Sequence, residues 1–282
     1  MDINNYLQAP FVDHVFHPTD LSTASETAFA HALAIALKRK SRLTILHVAD
    51  EGGELDWSRF PAVRSTLERW GLLEKGAPRE SVWSQLNLKV NKVALGAAKP
   101  LQAMLAYLDK HPTDLIVLAT EGREGLPAWV RPSLAERLAR EYPAMTLFVP
   151  GGSDGFVSSQ DGALRLERIL VPVDHEPSPR SAVLYAARAA VHAGGKATIT
   201  LLHVGKKAPR FDVPSDPAIT WEQVAREGEP VATIVEAART AKADLVVMAT
   251  AGRLSLADVL RGSVTEQVLR RSPCPLLAVP VR

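Results

Sequence analysis

The sequence has one cysteine, Cys274, in 282 residues, only 6% aromatic side chains, and no excess of either charge. A single thiol cannot close an internal disulfide or supply a cysteine-rich zinc site. Lysine and arginine number 33 against 31 aspartates and glutamates, a net charge of +2, and the first 150 residues hold 17 of each sign. Neither half therefore carries the basic excess of a nucleic-acid surface, although a small anion held locally stays compatible. Long hydrophobic runs are missing too. The richest stretch, Ala28 to Leu37, contains His31 and stops at Lys38-Arg39-Lys40, well short of the roughly 20 apolar residues that span a bilayer. The first ten residues, M-D-I-N-N-Y-L-Q-A-P, lack the basic and apolar regions of a signal peptide. These absences lead us to expect a cytoplasmic protein that binds neither nucleic acid nor membrane.

What is present is an ordinary globular composition, 46% hydrophobic and 23% charged, on a chain long enough for two domains. Self-comparison supplies both. Asp114 to Pro150 lies over Asp244 to Pro280 at a constant offset of 130, and sixteen of those 37 positions are identical without a gap. D-L-I-V-L-A-T-E-G-R faces D-L-V-V-M-A-T-A-G-R, and Arg131, Ser133, Glu136, Arg140 and Pro143 face Arg261, Ser263, Glu266, Arg270 and Pro273. Upstream, His-Pro-Thr-Asp20 matches Val-Pro-Val-Asp174, and I-L-H-V (45–48) matches L-L-H-V (201–204). We read one domain used twice, over residues 1–150 and 163–282. The Gly-, Ser- and Asp-rich stretch 151–162 serves as a linker.

Within each copy, short apolar runs alternate with helical patterns, which argues for parallel strands joined by crossover helices. In the second copy the expected strands are Arg168–Val173, Ala197–Val204, Ile219–Ala225, Asp244–Ala249 and Leu276–Val281. The expected helices start at Ser178-Pro179, Pro230 and Ser263. The copies differ between strands two and three. There the first has a long segment, Glu51 to Val82, with helical spacing at Val63, Leu67 and Trp70. The second has K-K-A-P-R-F-D-V-P-S-D-P, whose three prolines forbid a regular helix.

The residues with most chemistry to offer lie in Ala249 to Val264, just after an apolar strand. In open α/β sheets, ligands collect at the carboxyl ends of strands, near a switch in strand order. Gly252 allows close backbone approach. Gly262-Ser263 opens a helix whose free N–H groups suit an anion, and Arg253 and Arg261 add positive charge. The structural alternative stays open, because Ser263-x-x-Glu266 and Ser133-x-x-Glu136 are also capping boxes.

With these motifs the chain resembles a tandem member of the universal stress protein family. Nucleotide-binding members of that family show G-x2-G-x9-G-S/T after an apolar strand, and the second copy reads Ala249-x2-Gly252-x9-Gly262-Ser263-Val264. Only the first glycine departs, to alanine. The resemblance implies two UspA-like, adenine nucleotide alpha hydrolase-like α/β domains. Each would be a five-stranded parallel sheet in order 3-2-1-4-5 with helices on both faces. It also implies pairing of the two domains within the chain through Met145–Val149 and Leu276–Val281, with a homodimer of chains left open. It implies ATP or a related adenine nucleotide, with or without magnesium, at Pro172, Val173, Asp174, Val204, Met248, Ala249, Gly252, Arg253, Gly262, Ser263 and Val264. In the first copy Pro132 replaces the phosphate-loop glycine and Glu121 and Glu124 add negative charge, so no nucleotide is expected there.

Three functional readings follow. One is a stress-response regulator that binds nucleotide in its second domain and acts through an unidentified protein partner. Another is a scaffold with no nucleotide at all. The third is a slow ATPase or a phosphoryl or nucleotidyl transferase, for which the loop offers no evident base. Elsewhere, His14 and His17 lie three apart on a strand and face opposite sides, a poor metal pair. His203 reads as a packed strand histidine and Cys274 as a small buried filler. Trp57, Trp70 and Trp83 read as cover for the first domain or as a partner contact.

Overall fold

Strands form here where short runs of leucine, isoleucine and valine are covered on both faces. Leu115–Thr120 reads L-I-V-L-A-T, and its first four residues are all buried, the pattern of a parallel strand between two helical layers. The structure, a computed structural model, describes residues 7, 11–22, 24–49, 57–59, 61–120, 134–151, 155–251 and 263–281. The first copy runs β1 (His14–Pro18), α1 (Ala24–Arg39), β2 (Arg42–Ala49), α2 (Val63–Arg69), α3 (Ser81–Ser84), β3 (Lys89–Gly96), α4 (Pro100–Lys110), β4 (Leu115–Thr120), α5 (Leu134–Glu141) and β5 (Met145–Pro150). The second runs β6 (Arg168–Pro172), α6 (Arg180–Ala193), β7 (Ala197–Val204), β8 (Ile219–Arg226), α7 (Pro230–Thr240), β9 (Leu245–Ala251), α8 (Val264–Leu269) and β10 (Leu276–Val281).

All ten strands belong to one sheet, in order β3-β2-β1-β4-β5-β10-β9-β6-β7-β8. Each copy thus has the order 3-2-1-4-5 with every internal pairing parallel. The two meet where β5 and β10 pair antiparallel, Leu276 opposite Phe148 and Leu277 opposite Leu147. That junction removes two open edges from the molecule. The outer edges are β3 and β8, which alternate between exposed and half-buried residues and carry Lys89, Lys92, Glu222 and Arg226. Charged side chains on such edges discourage further strand addition.

One face of the sheet is covered by α1 and α6, whose Ala28, Ala32, Ala36, Ala182, Ala186 and Ala190 let the helices lie close to the strands. The other face is covered by α4, α5, α7 and α8 through Leu101, Met104, Leu108, Leu138, Ile234 and Val268. The same two polar staples hold each copy. Asp114 Oδ2 accepts the backbone N–H groups of Asp13 and His14 at 2.9 and 3.0 Å, and Asp244 Oδ2 accepts those of Glu167 and Arg168 at 2.9 and 2.8 Å. At the opposite end of the first strand, the His47 Nδ1–H donates to the Thr19 carbonyl at 2.8 Å, and the His203 Nδ1–H donates to the Val173 carbonyl at 3.0 Å. His14 is committed at both ring nitrogens, to the Pro112 carbonyl and to Thr44 Oγ1, while His17 bonds the Val117 carbonyl from within the sheet.

The joint between the copies is held down on the first of them. Phe156 and Val157 are buried, and residues 156–165 fold back on themselves through Arg165 N to Phe156 O (2.8 Å) and Ser158 N to Ala163 O (3.0 Å). His31, fully buried in α1, donates Nδ1–H to the Thr27 carbonyl (2.7 Å) and accepts the Phe156 N–H at Nε2 (3.1 Å). Trp70, at the end of α2, donates its indole N–H to the Ser159 carbonyl at 3.1 Å. Gly162 sits at φ +69°, where a Cβ would fall 2.4 Å from the Trp70 ring. Of the three tryptophans read as a cluster, Trp70 is therefore buried cover, whereas Trp83 is half exposed under the Lys89 ammonium at 4.7 Å.

Burial pushes the rings of His17 and His31 from 6.5 down to about 4. Between pH 6.5 and 4 the unfolded chain takes up protons that the folded chain refuses, so stability falls as the pH is lowered through that window. Each ring contributes a loss of roughly 2–3 kcal/mol at pH 4.5. Urea unfolding of His31→Gln at pH 7 and pH 4.5 should show a smaller acid-induced loss than the parent chain. An unchanged loss would refute the assignment of a neutral, buried His31.

Candidate functional site

The strand order itself makes a crevice. β6 pairs with β9 only over Ile169–Leu245 and Leu170–Val246, while it pairs with β7 along its whole length to Pro172–Leu202. Beyond Leu170 the two central strands part, and the chain leaves β6 toward α6 on one face and β9 toward α8 on the other. This is the switch point at which open α/β sheets take ligands.

Several of the residues singled out in the sequence sit at this end. Pro172 closes β6 and Val173 continues its ladder, donating N–H to the Leu202 carbonyl at 2.8 Å. Asp174 follows, with its side chain 66% exposed. One of its oxygens accepts the His175 N–H at 2.7 Å, and no other described residue hydrogen-bonds the carboxylate. His203 Nδ1 lies 4.0 Å away. Val204 closes β7, half-buried, and Met248 and Ala249 lie in the carboxyl half of β9, opposite Ala278 and Val279. Ser263 caps α8, its Oγ accepting the Glu266 N–H at 3.2 Å, and Val264 begins that helix with an exposed side chain. The capping reading of Ser263 thus holds, yet its hydroxyl keeps a proton to donate outward. Gly252, Arg253 and Gly262 lie outside the described residues, as do Glu121, Glu124 and Pro132 in the first copy.

The corresponding end of the first copy is built differently. Asp20 accepts the Ser22 N–H at 3.0 Å and the hydroxyls of Ser22 and Ser25 at 2.6 Å each. Burial raises the Asp20 carboxyl, but these hydrogen bonds outweigh it and hold the group below its usual range. Asp20 Oδ1 thus gathers three donors into the turn before α1, whereas Asp174 Oδ1 accepts one.

Sequence reasoning missed one constellation. Arg140 on α5 pairs with Glu266 on α8, and Arg270 beyond α8 pairs with Glu136 on α5, Nε to Oε1 at 3.1 Å. These are the same two positions of each repeat, exchanged across the β5–β10 junction. The glutamates read as the far members of capping boxes therefore also reach into the opposite copy. The hydrogen bonds that the Arg270 guanidinium donates to Glu136 raise it above its ordinary value. The signal available in the sequence was the identity of both residues in both copies. Cys274 is buried, and desolvation pushes its thiol up to about 11, so it stays protonated as a packed filler.

Two doubly wound α/β repeats, fused into a single sheet with a crevice at the strand carboxyl ends, define the structural class. The family model of the universal stress proteins matches residues 12–150 and 212–280, and the chain belongs to the universal stress protein family. A 53-residue stretch is 49% identical to a universal stress protein of Methanocaldococcus jannaschii, covering 19% of this chain and 31% of that protein. A 145-residue stretch is 29% identical to a universal stress protein of Synechocystis, covering 43% of this chain and 90% of that protein. In fold, the chain is similar to the crystal structure of a universal stress protein from Archaeoglobus fulgidus, with TM-score 0.61 and 18% identity over 95% of this chain and 96% of that one. No helix among the described residues is long and apolar enough to cross a membrane.

The exchanged Arg–Glu pairs are partly buried, so they should couple more strongly than pairs in open solvent. A double-mutant cycle on Arg140→Ala and Glu266→Ala, read by urea unfolding, should give a coupling of about 1 kcal/mol. Additive effects would show the pair to be energetically idle. Ser263→Ala should cost a further ~1 kcal/mol through loss of the α8 cap.

Proposed function

We propose that the chain is a cytoplasmic stress-response regulator whose second copy binds ATP or a related adenine nucleotide. The observation that carries this reading is the outward-facing Asp174 carboxylate at the mouth of the β6–β9 crevice, with only one oxygen engaged. Its free oxygen suits the exocyclic amine of adenine or a ribose hydroxyl. Pro172, Val173, Val204 and Met248 supply walls around it. The segment between β9 and Ser263 carries Gly252, Arg253 and Gly262, the residue types that receive phosphates. Ala249 places a methyl group where nucleotide-binding family members have glycine. The first copy has spent Asp20 on a turn and has proline at position 132, so it serves as a structural partner. Within this reading residues 1–150 and 163–282 are the two domains and 151–162 their joint. Output passes through ligand occupancy and a protein partner, and magnesium accompanies the phosphates.

Calorimetric titration of the full chain with Mg-ATP, beside an Asp174→Ala, Gly262→Pro double variant, tests the reading. One site per chain, abolished in the folded variant, is the expected result. Two sites would overturn the inert first copy. No heat at millimolar ATP from folded protein would leave a scaffold that kept the fold and lost the ligand.

A further inference from the structure

The second copy contains a cleft of about 340 Å³ between β7, β8 and the chain that joins them. The first copy has α2 at the corresponding point of the chain, with Val63, Leu67 and the following Trp70 buried. The cause lies in residues 206–217, where three prolines leave no helix. Instead, this segment lines the cleft with Ala208, Pro209, Arg210 and Phe211, together with Val173 and Leu201. The volume falls within the range of about 300–1,000 Å³ usual for small-molecule pockets.

One polar group on that wall is incomplete. His203 lines the cleft and is only 5% exposed. Its Nδ1–H is spent on the Val173 carbonyl, which leaves Nε2 of the neutral ring as an acceptor. Among the described residues nothing hydrogen-bonds that atom. The ring edge is kept uncovered by Gly205, at φ +151°, where a Cβ would stand 2.8 Å from Nε2. That acceptor opens onto the cleft, where a donor from water or from a ligand can meet it. The cleft has no acidic lining residue, and its exposed rim carries Arg210 shortly after Lys206 and Lys207.

We propose that this cleft is a second small-molecule site, for a flat aromatic or heteroaromatic acid that bears an N–H or O–H donor. The ring lies between Phe211 and the Val173–Leu201 floor. The donor meets His203 Nε2, and the carboxylate meets the Arg210 guanidinium. The site shares only Val173 with the nucleotide reading and does not depend on it.

Indole-3-acetate is a suitable probe, titrated into the full chain by calorimetry and by amide NMR. The expected result is one saturable event per chain, with shifts centred on residues 203–211 and 223–225. 1-Methylindole-3-acetate, without the donor, and 3-methylindole, without the carboxylate, should each bind about tenfold more weakly. Arg210→Ala, on an exposed loop that leaves the core intact, should weaken the acid about tenfold and leave 3-methylindole unchanged. Absence of saturable binding at millimolar probe would overturn the proposal. So would affinities indifferent to N-methylation and to Arg210→Ala. Displacement of the probe by Mg-ATP would assign it to the crevice at Asp174 and equally overturn a separate site.

Discussion

The antiparallel pairing of β5 with β10 is the contact on which the rest of the molecule depends. Five parallel strands in order 3-2-1-4-5 end in an open, apolar edge, and both copies end that way. Pairing the two last strands satisfies both sets of backbone groups at once. It also places α5 beside α8, which makes possible the exchange of Arg140 with Glu266 and Arg270 with Glu136. Those bridges tie α5 of one copy to α8 of the other.

The two copies keep the interactions that build the fold and differ in those that expose chemistry. Asp114 and Asp244 hold the start of the fourth strand to the first, and His47 and His203 hold the end of the second strand to the first. A carboxylate that accepts two backbone N–H groups, or an imidazole that caps a strand-end carbonyl, leaves little freedom for substitution. The residues one step further out have diverged. Both aspartates are exposed, but Asp20 Oδ1 gathers Ser22 and Ser25, while Asp174 accepts only the His175 N–H among the described residues. In the first copy the chain between the second and third strands forms α2, and Trp70 after it holds the joint. In the second the corresponding chain has no helix and borders a cleft. The copies therefore share a frame and differ in the chain between their second and third strands and in the bonds made at the end of their first.

Much of this architecture was legible from the residues. The offset of 130 revealed the duplication, the alternation of apolar runs and helical patterns gave the parallel sheet, and the prolines between Val204 and Ile219 marked the missing helix. Ser263 capped its helix as its spacing with Glu266 implied. Local chemistry of this kind is readable because caps, proline constraints and strand periodicity act between residues close in sequence.

What only the tertiary structure decided concerns partners far apart in the chain. That Glu136 and Glu266 reach arginines of the opposite copy, rather than serving their own helix starts alone, follows from the β5–β10 pairing. That a Gly- and Ser-rich joint is held by His31 and Trp70 depends on helices 89 and 125 residues upstream of the atoms they bind. That Asp20 and Asp174 share a motif yet differ in their hydrogen bonds depends on Ser22 and Ser25, which converge on Asp20 Oδ1. The sequence by itself determined the repeat, the element order and the residue types at the strand ends. Which of those residues stay exposed was settled by packing, because burial and long-range hydrogen bonds decide whether a polar group is spent inside the protein.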